Sequence, residues 1–170
     1  MKKLEDYVRS IPDFPEPGII FRDVTTVIQD PDGLKLAVDK LQEMVRDVDY
    51  DVVVGPESRG FIFGVPVAYN MHKSFVHVRK KGKLPWDRIE LEYGAAVIEM
   101  HKDSIKPGQR VVIVDDLIAT GGTTEAIVKL VEALGGKVVK ICFLMELAGL
   151  KGRERLAGYD VDAAVIYEGK

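Results

Sequence analysis

The sequence predicts an α/β domain with a mainly parallel central sheet flanked by helices. Short runs dense in valine and isoleucine, "YDVVVG", "SFVHV", "RVVIV" and "KVVKICFLM", recur along the chain. Between them lie segments whose apolar residues fall at helical spacing. Strands that alternate with helices in this way are joined as parallel neighbours, the helix making the crossover. Length is the third observation: 170 residues can bury one real core and fall short of two. The chain therefore reads as a single domain, 1–170.

The first helix is read over "LKLAVDKLQEMVRDV", residues 34–48, where Leu34, Val38, Leu41, Val45 and Val48 share a face; Asp30 and Pro31 are start residues for it. "YDVVVG" follows as a buried strand and leads through the loop "PESRG" into "FIFGVPVAYNM", helical despite Pro66. "SFVHV" resumes strand. Next comes "RKKGKLPWDRIELEYG", with little hydrophobic periodicity; a long excursion of this kind in a compact domain is a functional loop or lid. "AAVIEMH" and "RVVIV" are strands, Thr123 to Leu134 a helix stopped by Gly135 and Gly136, and "KVVKICFLM" a further strand.

Composition excludes several function classes. No apolar run approaches the roughly 20 residues of a membrane helix, and "MKKLEDYVRS" lacks the apolar core of a secretion signal, so a cytoplasmic protein without membrane partners is expected. Cys142 is alone in an apolar run and reads as a buried structural thiol. His72, His77 and His101 match no zinc spacing. A net charge of -3 argues against general nucleic-acid binding.

The chemistry concentrates in "RVVIVDDLIATGGTT", residues 110–124. If "VVIV" is a strand of a parallel sheet, the residues after it lie at the carboxyl ends of the strands, where ligands bind. Thr120, Gly121, Gly122, Thr123 and Thr124 form a turn at a helix N-terminus, where free N–H groups and the helix dipole favour an anion. Glycine lets backbone come close to a phosphate, and the threonine hydroxyls add donors. Asp115 and Asp116 have the opposite preference: they accept hydrogen bonds from vicinal sugar hydroxyls or orient a hydrated magnesium ion. A sugar phosphate satisfies both halves. Taken singly, Thr120 or Thr123 reads as a helix cap and the aspartates as a solvated strand end. The motifs of P-loop ATPases and of dinucleotide-binding dehydrogenases are absent.

"VVIVDDLIATGGTT" resembles the phosphoribosyl pyrophosphate motif of the type I phosphoribosyltransferases. From Phe14 onward "FPEPGIIFRDVTT", "GPESRGFIFG", "RKKGKLP", "LEYG" and "ELAGLKGRERL" make the chain similar to the adenine-specific branch of that family. The resemblance implies the type I phosphoribosyltransferase fold, with a small N-terminal base-binding hood over 1–32 and a flexible lid loop over 79–93. It implies purine salvage: adenine and phosphoribosyl pyrophosphate give AMP and pyrophosphate. Mg2+ is then required and reaches the site with substrate and water rather than in a protein cage. A homodimer is implied as well.

Carried over by matching motifs, the resemblance places adenine at Ile20, Phe21 and Arg22, with Leu147 closing the other side. Phe21 is the stacking platform, and backbone atoms of Ile20 and Arg22 read the base edge. Asp115 and Asp116 take the ribose diol, and Ala119, Thr120, Gly121, Gly122, Thr123 and Thr124 take the ribose phosphate. Arg59, Arg79, Lys80 and Lys83 serve the pyrophosphate, with a cis peptide expected between Ser58 and Arg59. Glu92 is implied as the acid/base carboxylate, with Tyr93 beside it.

From the residues alone other readings stand: Phe21 as core under a Pro-Gly turn, Arg22 and Asp23 as a surface ion pair, the lysine segment as a solvated loop, and Glu92 as a surface glutamate. The alternatives in function are a phosphoribosyltransferase for hypoxanthine, guanine or xanthine, and a non-catalytic sensor of phosphoribosyl pyrophosphate. The sensor is expected to carry an added domain or a broad basic surface, and neither is evident.

Overall fold

In the computed structural model, which describes residues 1–169, the chain begins with a 3-10 turn at Leu4–Tyr7 and an antiparallel hairpin of β1 (Arg9–Pro12) and β2 (Ile20–Asp23). This hairpin lies within residues 1–32, the segment expected to form a hood. Arg9 forms an ion pair with Asp23 across it, and Thr25 donates its amide to the same carboxylate at 3.0 Å. Hydrogen bonding by Thr25, then by Arg9, lowers the Asp23 pKa to about 2. The alternative reading of Arg22 and Asp23 as an ion pair is therefore not the arrangement found: Asp23 belongs to Arg9, and Arg22 stacks on the ring of Tyr167, 4.0 Å from its centroid.

A short α1 (Thr25–Gln29) leads to α2 (Pro31–Val45). Asp30 caps α2 by accepting from the amides of Asp32 and Gly33 at 2.9 and 3.1 Å, and Pro31 occupies the first turn, where its missing N–H costs nothing. The helix ends before Val48, which continues the turn and still packs on the core. Then follow β3 (Val52–Pro56), α3 (Arg59–Asn70), β4 (Ser74–Lys80), β5 (Arg88–Tyr93), β6 (Ala96–His101), β7 (Arg110–Ile118), α4 (Gly122–Ala133), β8 (Lys137–Leu147) and β9 (Val161–Tyr167).

One sheet has the order β5-β6-β4-β3-β7-β8-β9, parallel from β4 to β9 and antiparallel at β6 and β5. Side chains of the central strands alternate between two apolar layers. Val53, Val112, Val114, Cys142 and Leu144 pack with the layer of α2 and α3, whereas Val52, Val54, Ile113, Ile141 and Phe143 pack with α4. Both faces are covered, which is why these strands read as continuous apolar runs. Burial pushes the Cys142 thiol up to about 12, in keeping with a structural role.

Two expectations need correction. Asp115 and Asp116 lie within β7 rather than beyond it, because β8 continues in register to Ile118↔Glu146 and supplies backbone partners there. The span read as one long loop is strand at both ends: Arg79 and Lys80 close β4, and residues 88–93 form β5. In β5 the charged residues alternate with Ile89, Leu91 and Tyr93, which pack on the core, so its pattern is that of a half-buried strand. The edge strand β9 was not foreseen.

Asp30→Ala removes the α2 cap while leaving the core intact. We expect a loss of about 1 kcal/mol in stability, read as a lower urea midpoint with an unchanged m-value.

Candidate active site

A cleft of about 350 Å3 opens at the carboxyl ends of β3 and β7. Its floor is the run from Asp115 to Thr124, and its rim includes Glu57, Arg59, Lys80 and Tyr93. Gly121, at φ 84°, is itself the N-cap of α4, and no side chain caps that helix. The alternative in which Thr120 or Thr123 serves only as a cap is thus not the arrangement found. The first turn of α4 lines the cleft, and Thr123 Oγ1 lies 3.2 Å from the hydroxyl of Tyr93.

Asp115 and Asp116 are 9% and 5% exposed, an unusual degree of burial for adjacent carboxylates. Asp116 pairs with the guanidinium of Arg59, and the Asp116 amide donates to Asp115 Oδ1 at 2.8 Å. Burial first, and the neighbouring Asp116 charge second, push the Asp115 carboxyl well above the usual range. Asp116 in turn raises the pKa of Arg59 and keeps it charged. Arg59 reaches this position from the first residue of α3. The cis peptide before it is Glu57–Ser58, not Ser58–Arg59 as expected. Ser58 already has helical dihedrals as the residue that leads into α3, and helical geometry requires a trans link from there onward.

A second, more apolar cleft of about 350 Å3 adjoins the first and shares Arg59, Asp116 and Leu117 with it. Its N-terminal wall contains Phe14, Phe21 and Arg22, and the rings of Phe14 and Phe21 meet edge to face at 5.4 Å. Phe21 is 36% exposed, so it is a surface platform and not a core residue. Ile20 and Leu147 are not among the residues lining this cleft. Ile20 is 40% exposed at the start of β2, and Leu147 is half-buried at the end of β8.

Other expected residues are held near the site by carboxylates to which the sequence reading assigned no role. Glu57 accepts from Arg79 Nε at 2.9 Å and from the Lys80 amide at 3.1 Å. Burial would raise the Glu57 pKa, but these hydrogen bonds outweigh it and hold the group below its ordinary value. Glu99, fully buried on β6, accepts from the amides of Lys83 and Leu84 at 3.0 Å each and lies 3.0 Å from Arg88 Nε. Its burial is likewise outweighed, and its pKa is lowered. Lys80 lines the cleft; Arg79 and Lys83 do not. Glu92 is exposed, on the face of β5 opposite Tyr93, and is also absent from the lining. Leu117, common to both clefts, was missed because "DDLI" was not read as strand.

Among the described residues no group of three or more His, Cys, Asp or Glu side chains could hold a metal. The donor set fits a magnesium ion that arrives with a polyphosphate, its waters accepted by Asp115 or Asp116.

The raised Asp115 pKa fixes the sign of a pH effect. The unfolded chain loses this proton near the ordinary carboxylate range while the folded protein keeps it, so stability falls as pH rises between the two values. Asp115→Asn removes that loss. We expect a higher Tm than wild type at pH 7, a margin that shrinks as pH falls towards the ordinary carboxylate range, and weakened sugar-phosphate binding. Thermal unfolding across pH checks this; a variant no more stable at pH 7 contradicts it.

Comparison with known proteins agrees with this geometry. The phosphoribosyl transferase domain model matches residues 25–169. An adenine phosphoribosyltransferase of Lachnoclostridium phytofermentans is 70% identical over 100% of both chains, and one of Agathobacter rectalis is 64% identical over the same share of each. The crystal structure of adenine phosphoribosyltransferase from Thermoanaerobacter pseudethanolicus superposes with a TM-score of 0.93 at 46% identity, covering 96% of this chain and 98% of that one. The enzyme of Saccharomyces cerevisiae, complexed with an imino-altritol bisphosphate and adenine, gives a TM-score of 0.86 at 38% identity over 95% and 96%. No helix among the described residues is long and apolar enough to cross a membrane. With a family model spanning nearly the whole chain and full-length relatives of this identity, the chain belongs to the phosphoribosyltransferase family.

Proposed function

We propose that the chain is a purine salvage transferase that moves the phosphoribosyl group of phosphoribosyl pyrophosphate to adenine, releasing pyrophosphate and forming AMP. The observation that carries the reading is the pair of adjoining clefts: an anion turn beside two carboxylates, and an aromatic-walled pocket that shares Arg59, Asp116 and Leu117 with it. A sugar held across the shared wall has its phosphate on the turn and its anomeric carbon facing the base pocket. The full-length relatives named for the same activity support the reading.

In this reading the ribose 5-phosphate takes the amides and hydroxyls of Thr120–Thr124, and the diol takes Asp115 and Asp116. As the anomeric C–O bond breaks, pyrophosphate leaves with its electron pair and the sugar gains oxocarbenium character. Arg59 and Lys80 on the rim stabilise the leaving charge, with Arg79 and Lys83 nearby. Magnesium, when bound, adds charge neutralisation to the pyrophosphate. The imidazole nitrogen of adenine forms the new bond to the anomeric carbon, and the proton of that ring passes to a base.

Glu92 is our candidate for that base. Its place on the outer face of β5 means that the hairpin of β5 and β6 must shift for the carboxylate to reach the purine, in keeping with a lid role for the segment. Adenine is favoured because it presents a donor and a neighbouring acceptor where hypoxanthine and guanine reverse both, and a buried reader leaves the wrong base unpaired. The same reading takes the protein as a cytoplasmic homodimer, as family resemblance implies.

Incubation with magnesium, phosphoribosyl pyrophosphate and either adenine, hypoxanthine, guanine or xanthine tests the assignment. AMP is expected from adenine, with no product from the others at equal concentration. A different nucleotide overturns the base assignment, and tight binding of the sugar phosphate without turnover overturns the reaction. Glu92→Ala is expected to lower kcat on the order of 100-fold with the KM for phosphoribosyl pyrophosphate nearly unchanged. Undiminished turnover removes Glu92 from the mechanism.

A further inference from the structure

In the motif "ELAGLKGRERL" only Leu147 has so far been given a role, and its other residues build a clamp. Glu146 is 6% exposed near the end of β8, opposite Ile118 in parallel register. Its carboxylate accepts from Arg153 Nε at 2.9 Å to each oxygen and from Nη2 at 2.7 Å. The remaining arm of the guanidinium, Nη1, donates to the Val161 carbonyl at 2.8 Å. A planar fork on a buried carboxylate fixes direction as well as distance. The loop 148–156 is therefore folded back onto the end of the sheet.

Within that loop, Gly152 lies against the phosphate turn. A Cβ built on Gly152 would meet the Ala119 carbonyl oxygen at 2.5 Å, and one built on Gly121 would meet the Gly152 oxygen at 2.6 Å. The two backbones touch with no side chain between them. Gly121, at φ 84°, is the residue whose conformation aims the first-turn amides of α4. Arg155 adds a second tie, 3.7 Å from Glu125 in the first turn of the same helix.

We propose that Arg153 is a positioning residue for sugar-phosphate binding: its fork to Glu146 holds the Gly152 backbone behind Gly121 and so sets the direction of the amides that receive the phosphomonoester. The proposal rests on the sugar-phosphate reading of the cleft. Arg153 touches no substrate and acts through the turn. Its side chain is 41% exposed, so replacing it opens no cavity in the core.

The test uses the full chain and two readouts, steady-state kinetics and calorimetric titration with ribose 5-phosphate, which needs no turnover. For Arg153→Gln the KM for phosphoribosyl pyrophosphate and the Kd for ribose 5-phosphate should both rise about tenfold, with the adenine KM within about twofold and the saturated kcat within about threefold of wild type. Arg153→Lys, which keeps the charge and loses the fork, should fall between the two. Gly152→Ala, which changes neither Arg153 nor Glu146 and forces the Gly152 and Ala119 backbones apart, should reproduce the rise in both constants, and it carries the test should Arg153→Gln not fold. A purely structural role lowers Tm and the active fraction, and hence the apparent kcat, with both constants unchanged; that result overturns the proposal. Failure of the wild type to bind ribose 5-phosphate instead overturns the sugar-phosphate reading, and the clamp with it.

Discussion

Two adjacent carboxylates at the end of a buried apolar strand are the constraint on which the site depends. Like charges side by side, out of water, are costly unless one is paired or one keeps its proton. Both remedies are present: Arg59 pairs with Asp116, and Asp115 is pushed towards its neutral form while accepting the amide of Asp116. The pairing requires the end of β3, the turn at Glu57–Ser58 and the start of α3 to converge on β7. That convergence places one guanidinium in the wall shared by the two clefts. One ion pair thus joins the walls of both clefts, and in the proposed reading a ribose diol that engages Asp116 competes with Arg59 for it.

The parts of the site legible in the sequence are those whose chemistry is local. In the proposed reading residues 119–124 act through their own backbone and hydroxyls, so the order of threonines and glycines suggests an anion turn before any tertiary contact is known. The parallel strands were legible because burial on both faces writes them as unbroken apolar runs. Asp30 and Pro31 were legible as a helix start because capping is a matter of three or four residues.

What was hidden depends on partners distant along the chain. Glu57 is 22 residues from Arg79, and Glu99 is 16 from Lys83, so nothing near either carboxylate signals that it anchors the basic segment. The extension of β7 through its aspartates could not be read from β7 alone, since it is the length of β8 that supplies the backbone partners. β5 was concealed by its charge: alternate acidic and basic residues resembled a solvated loop, although the residues between them pack against the layer of α4. The aromatic-walled cleft was legible through Phe21 but incomplete, because its shared wall at Leu117 and Arg59 comes from elements remote from β1 and β2.

The position of β5 at the end of the strand order has a consequence for solubility. An edge strand offers a row of unpaired amides and carbonyls to any other extended chain, and charged side chains along it discourage that association. Arg88, Glu90 and Glu92 stand exposed at alternate positions and supply such charges. β5 ends the strand order on its side of the sheet, so the protection of its outer edge comes from its own side chains. Replacing these residues by apolar ones would trade a charged margin of the sheet for a template on which partly unfolded chains could aggregate.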